Sequence, residues 1–122
     1  MAARITPGAC VMFVMAGTGK EAERISRALI EERLAACANI IGPVRSIYRW
    51  RGKVEDAREY LIMIKTRSSL TSRIERAVRK LHSYEVPEII ALKIASGSTP
   101  YLDWIAQNTH APKQSRRGAG KA

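Results

Sequence analysis

The chain has 122 residues, enough for one hydrophobic core and too few for two independently folded domains. Hydrophobic residues make up 46% of it and charged ones 26%, which excludes wholesale disorder and the collagen-like and low-complexity classes. Its departure from the average is charge: 21 Lys and Arg against 11 Asp and Glu give a formal +10, a balance that raises nucleic acid or an anionic membrane as partners.

Residues 1–9 read as an N-terminal extension and 10–110 as the folded domain. CVMFVMA at 10–16 is a short apolar run between glycines, the mark of a strand buried on both faces. The run leads straight into an amphipathic pattern, so it reads as a strand and not as a secretory signal. Thr18 and Glu21 make a T-x-x-E capping box, the hydroxyl taking the Glu21 amide hydrogen and the carboxylate reaching back to the cap amide. Behind it Ala22, Ile25, Leu29 and Ile30 recur at helical spacing, which predicts a helix over 19–35. Residues 37–50 are mostly strand formers interrupted at Gly42-Pro43, so a long strand with a bend or bulge is expected. Arg51-Gly52 supplies a turn, and 53–66 returns as the second arm of a hairpin.

After Ser68 and Ser69, both plausible N-caps, Leu70, Ile74, Ala77, Val78 and Leu81 mark a second amphipathic helix. EIIALKIA at 88–95 is another strand apolar on both faces, and Thr99 as cap with Pro100 at the first helical position opens a short third helix. The tail 111–122 holds four basic residues and no large apolar one, and is expected to be a disordered, solubilising end. Without it the remaining 110 residues carry 17 basic and all 11 acidic side chains, a net of +6. Cys10 and Cys37 are too few for a disulfide scaffold and form no Cys-x-x-Cys pair, which favours a reducing, cytoplasmic setting. No apolar stretch approaches the roughly 20 residues that span a bilayer, so no membrane partner is expected.

Strand, helix, strand, strand, helix, strand is the order of a ferredoxin-like β-α-β-β-α-β sandwich, an α+β fold in which right-handed crossovers put both long helices on one sheet face. Yet the strands are apolar at both parities, so the other face also needs cover. Another copy of the same chain is the economical candidate.

The chemistry-bearing motifs are sparse. GTGK at 17–20 lacks both the first glycine and the Ser or Thr of a phosphate-binding loop. Phe13 and Tyr60 lack the glycine-aromatic surroundings of an RNA-recognition sheet, so nucleic acid is not the expected partner. No Ser, His and Asp triad is visible from spacing, and general-base chemistry would rest on His82. Cys37 with His82 makes a candidate soft metal pair, to which Glu85 or Glu88 would add oxygen ligands. Tyr48 and Trp50, two apart, share one face of a strand, and Lys65 is a polar residue within the apolar part of a strand.

Taken together, ERLAAC at 32–37 with ANII and Gly42, SIYRWRGKVE at 46–55, IMIKTRSS at 62–69, HSYEVPEIIAL at 82–92 and YLDWI at 101–105 resemble the CutA divalent-cation-tolerance family. The resemblance runs from Val11 to about Asn108, in order. It implies a ferredoxin-like homotrimer whose central hairpin helps pair the subunits, with a shape similar to the PII signalling trimers, a role in tolerance of divalent metals, copper especially, and no enzymatic activity. It further implies clefts between subunits lined by Tyr48, Trp50, Lys65, Tyr84, Glu88, Tyr101 and Trp104, with Cys37 and His82 as metal ligands. A PII-like signalling or scaffold trimer acting through protein contacts is the alternative. Met15, Gly17 and Ser83 depart from the family pattern, the first removing a thiol that a three-cysteine copper site would use.

Overall fold

The computed structural model describes residues 8–109. The elements follow the expected order: β1 (Ala9–Ala16), α1 (Gly19–Glu31), β2 (Cys37–Trp50), β3 (Lys53–Arg67), a 3₁₀ turn (Ser68–Leu70), α2 (Thr71–Leu81), β4 (Ile89–Lys93) and α3 (Thr99–Gln107). All strand pairs are antiparallel and the sheet order is β2-β3-β1-β4, the ferredoxin-like arrangement. No helix among the described residues is long and apolar enough to cross a membrane. The disordered tail expected at 111–122, and nearly all of the extension expected at 1–9, lie outside the described residues.

Alternation fixes which side chains reach the core. Along β1 the even positions Cys10, Met12, Val14 and Ala16 are buried, and they pair in register with Thr66, Ile64, Ile62 and Tyr60 of β3. Ile25 and Leu29 of α1 and Ile74 and Val78 of α2 close over this face, each fully buried. Burying one such side chain is worth roughly 1.5–3 kcal/mol, so this layer supplies the main stabilisation of the fold. The odd positions Val11, Phe13 and Met15 are half-buried and share the opposite face with Leu61, Met63 and Lys65 of β3 and with Ile90 and Leu92 of β4. Neither long helix covers that face. Ile41, Ile90 and Leu92 stay 41–48% exposed, which bears out the expectation that two helices leave one apolar face open.

Four boundaries differ from the sequence reading. Helix α1 stops at Glu31, short of 35, because Arg33 turns left-handed at φ 60°. The amides of Leu34 and Ala35 then both donate to the Leu29 carbonyl, a Schellman-type stop made without glycine. Leu34 and Ala35 are buried all the same, so their apolar character mimics another helical turn. Neither Ser68 nor Ser69 caps α2. They form the 3₁₀ turn, and Thr71 Oγ1 donates to the Ser68 carbonyl instead. Ser98 rather than Thr99 caps α3, accepting the Tyr101 amide at 3.4 Å and moving Pro100 one place into the helix. Strand β4 spans only five residues.

The long hairpin behaves as expected. Strand β2 is irregular between Ile41 and Val44, where Gly42 and the cis Pro43 drop out of the ladder. A Cβ on Gly42 would lie 2.5 Å from the Tyr60 ring, so only glycine fits there. Arg51 and Gly52 both have positive φ, 51° and 81°, as a two-residue hairpin turn requires. Beyond Ala16 and Tyr60 the two arms pair only with each other, so the hairpin projects past the sheet.

Candidate functional site

At the projecting end, the hairpin and the loop after α2 enclose a cleft of about 510 Å³, lined by Ser46, Tyr48, Trp50, Arg51, Glu59, Tyr84, Glu85 and Glu88 with Met15 and Val86. Two contacts tie the loop to the hairpin. The Tyr84 hydroxyl donates to Glu59 Oε2 at 2.8 Å, and Arg51 pairs with Glu85 at 2.8 Å. The Arg51 guanidinium also sits 5.2 Å from the centroid of the Trp50 ring, a cation-π distance. Burial, then the hydrogen bond to Glu59 and the nearby carboxylate charge, push the Tyr84 phenol well above its usual range. It is therefore a fixed donor and not a base.

A buried network holds Tyr84 from behind. His82 Nε2 lies 2.6 Å from the Met15 carbonyl, which assigns the ring proton to Nε2, and Nδ1 accepts the Tyr84 amide at 3.0 Å. The His82 and Tyr84 rings meet at 4.8 Å. Glu21, 5% exposed, accepts the amides of Ser83 at 2.7 Å and Gly17 at 3.3 Å. Burial works against its charge, but those donors and the neighbouring His82 outweigh it and hold the carboxyl below its ordinary value. The expected capping box is thus half made. Thr18 Oγ1 accepts the Glu21 amide at 3.1 Å, while the carboxylate serves the 82–84 loop in place of the cap amide.

The site residues expected from the sequence fall into two groups. Tyr48, Trp50, Tyr84 and Glu88 line the cleft, with His82 directly behind. Cys37, Lys65, Tyr101 and Trp104 gather at the other end of the open face. There Lys65 Nζ donates to Asn39 Oδ1, Cys37 Sγ donates to the same oxygen at 3.6 Å, and the rings of Tyr101 and Trp104 stack at 5.5 Å. Burial first, and then the adjacent Cys37 sulfur, raise the Tyr101 hydroxyl. Cys37 is level with Lys65 and Val11, whereas His82 bonds to Met15. Four residues of strand, about 13 Å, separate those levels, so Cys37 and His82 of one chain do not form a metal pair. Among the described residues no three His, Cys, Asp or Glu side chains converge as a metal centre.

Sequence reasoning missed Glu59, Asn39 and the role of Glu21. Glu59 carried one usable signal: it shares the parity of Leu61 and Met63 along a strand, where an acid needs a partner, and the structure buries it to 6% exposure.

The family model for CutA1 divalent ion tolerance protein matches residues 10–108. The chain belongs to that family. It is 44% identical over 99 residues to the Thermus thermophilus divalent-cation tolerance protein CutA, covering 81% of this chain and 96% of the relative. The solved Thermus structure superposes with a TM-score of 0.82 at 43% identity, over 84% of this chain and 99% of that one. CutA1 from Oryza sativa gives a TM-score of 0.84 at 38% identity, over 88% and 100%. Mouse protein CutA is 48% identical over 103 residues, covering 84% of this chain. The chain spans only 58% of that relative's length. CutA relatives are named for more than one compartment, one from Arabidopsis thaliana being called chloroplastic.

Proposed function

We propose that the chain acts in tolerance of divalent cations as a cytoplasmic homotrimer, binding a metal ion, copper among them, or a small ligand in clefts completed between subunits. In this reading it is a binding protein and not an enzyme. The observation that carries it is the open sheet face: Ile41, Ile90 and Leu92 are exposed there opposite the helices, with Tyr101 and Trp104 exposed beside them. An apolar face of this kind is stable in water when a partner covers it, and a closed ring of identical chains does so without a foreign partner. The metal ion is cargo here. Cys37 and His82 are its candidate soft donors. Cys37 is partly accessible and bonded only weakly, whereas both nitrogens of His82 are engaged, so a shared site depends first on Cys37 meeting a partner's donors.

Sedimentation of the full chain tests the assembly: three times the monomer mass is expected, and Leu92→Asp, which puts a charge on the face, should release monomers. Titration with copper(II) tests the cargo, with binding lost in Cys37→Ala. A monomeric wild type, or copper binding indifferent to Cys37, overturns the corresponding half.

A further inference from the structure

The cleft at the hairpin end has a chemistry of its own. Its lining holds three carboxylates, Glu59, Glu85 and Glu88, against one guanidinium, and three aromatic rings. In a chain of formal +10 this is a locally acidic cavity. Its volume of about 510 Å³ falls within the span of small-molecule sites, roughly 300–1,000 Å³. The lining contains neither imidazole nor thiol. Two of its carboxylates already serve other groups, Glu59 receiving the Tyr84 hydroxyl and Glu85 the Arg51 guanidinium. Glu88 lines the cleft with no ion pair among the described residues.

The chain itself displays one cation in this setting. The Arg51 guanidinium lies against the Trp50 ring and pairs with a carboxylate from the opposite wall. Aromatic faces attract cations by about 0.5–2 kcal/mol, more as water is excluded, and a carboxylate adds a charge-assisted hydrogen bond. An anion would meet the excess of carboxylates, and the one guanidinium that could receive it is already paired. A neutral apolar guest would leave Glu88 desolvated and unmatched, which is costly.

Resting on the reading of this cleft as a ligand site, we propose that it binds a small organic cation, an amine or guanidinium compound. The cation's hydrocarbon frame lies along Tyr48 and Trp50, and its charged head meets Glu88 and Glu59. Tyr84, fixed by Glu59 and His82, forms the back wall.

Agmatine, which carries both an ammonium and a guanidinium group, is the probe. It is titrated into the full-length chain and followed by calorimetry and by tryptophan emission in a Trp104→Phe background, so that Trp50 reports alone. Saturable binding that weakens with added salt is expected. Glu88→Gln should weaken it about tenfold, since a charge-assisted bond is worth an order of magnitude in affinity. Glu59→Gln, which keeps an acceptor for Tyr84, should weaken it similarly. Glu88 is exposed, so its substitution keeps the test valid even where Glu59→Gln harms folding. Glutarate, a dianion of similar reach, should not bind. Absent agmatine binding, equal binding of glutarate, or affinity unchanged in Glu88→Gln overturns the proposal. If agmatine fails while copper still binds through Cys37, the organic-cation assignment falls and the broader function stands; if both fail, both fall.

Discussion

Replacing Glu21 by Gln isolates the charge at the centre of the buried network. The carboxylate accepts the Ser83 and Gly17 amides from within the first turn of α1. Glutamine keeps one acceptor oxygen but turns an NH₂ group toward one of those amides, leaving a buried N–H without a partner at about 1–3 kcal/mol. Losing a negative charge at a helix N-terminus adds about 0.3–1 kcal/mol. A destabilisation of about 2–3 kcal/mol at pH 7 is expected from urea unfolding at one fixed protein concentration, because assembly would make stability concentration-dependent.

The pH dependence supplies the sharper test. The folded carboxyl of Glu21 titrates below its unfolded value, so as pH falls the unfolded chain takes up the proton first. Its stabilisation is complete above the unfolded value, about 4.3, and is lost as pH falls through the folded one. The gap between wild type and Glu21→Gln should therefore narrow as pH falls below that value. His82, whose Nδ1 lies 3.6 Å from Glu21 Oε2, is present in both proteins, so only its coupling to Glu21 differs. A gap that stays constant into acid, or a loss under about 0.5 kcal/mol at pH 7, would refute the assignment of Glu21 as a buried anion anchoring the 82–84 loop.

Two further substitutions probe the packing around the site. Gly42→Ala puts a methyl 2.5 Å from Tyr60 and should lower the urea midpoint by the equivalent of about 1–3 kcal/mol; combining it with Tyr60→Leu should recover part of that loss, and a strictly additive double variant would count against the clash. Thr66→Val removes the buried hydroxyl that donates to the Leu34 carbonyl at 2.6 Å and should cost about 1–2 kcal/mol, with the early exchange of the Leu34 and Ala35 amides showing that the turn after α1 has loosened.

The fold was legible where one signal carried each element. The apolar parity of CVMFVMA both placed β1 and announced that two sheet faces need cover, and Gly42-Pro43 marked the irregularity in β2. The end of α1 was not legible, because Arg33 adopts a left-handed turn with no glycine to announce it, and the buried Leu34 and Ala35 continue the apolar spacing. The cleft was legible only in part. Tyr48 and Trp50 stand two apart and declare a shared face, but Tyr84 meets Glu59 across 25 residues and Arg51 meets Glu85 across 34, contacts that no spacing rule reaches. The hydrogen-bond partner of His82 was hidden for a related reason. A histidine side chain suits a metal ion and a backbone carbonyl equally well, and only the position of Met15 decides which partner His82 has.

Net charge is the least informative quantity for this molecule's partners, and the structure gives the reason. The basic side chains of α2, Arg73, Arg76, Arg79 and Lys80, sit on the helical layer, while Glu59 and Glu88 belong to the cleft on the opposite, open side of the sheet. At physiological salt exposed charges are screened beyond about 8 Å, so a guest in the cleft responds to the carboxylates and aromatic rings around it far more than to the distant arginines. Binding in the cleft should therefore keep a cation's preference despite a formal charge of +10. Reversing charge on the helical layer, as in Arg76→Glu with Arg79→Glu, should shift association with polyanions such as heparin while changing agmatine affinity less than twofold. A matching change in both would mean that the overall field governs the cleft and that its local chemistry does not.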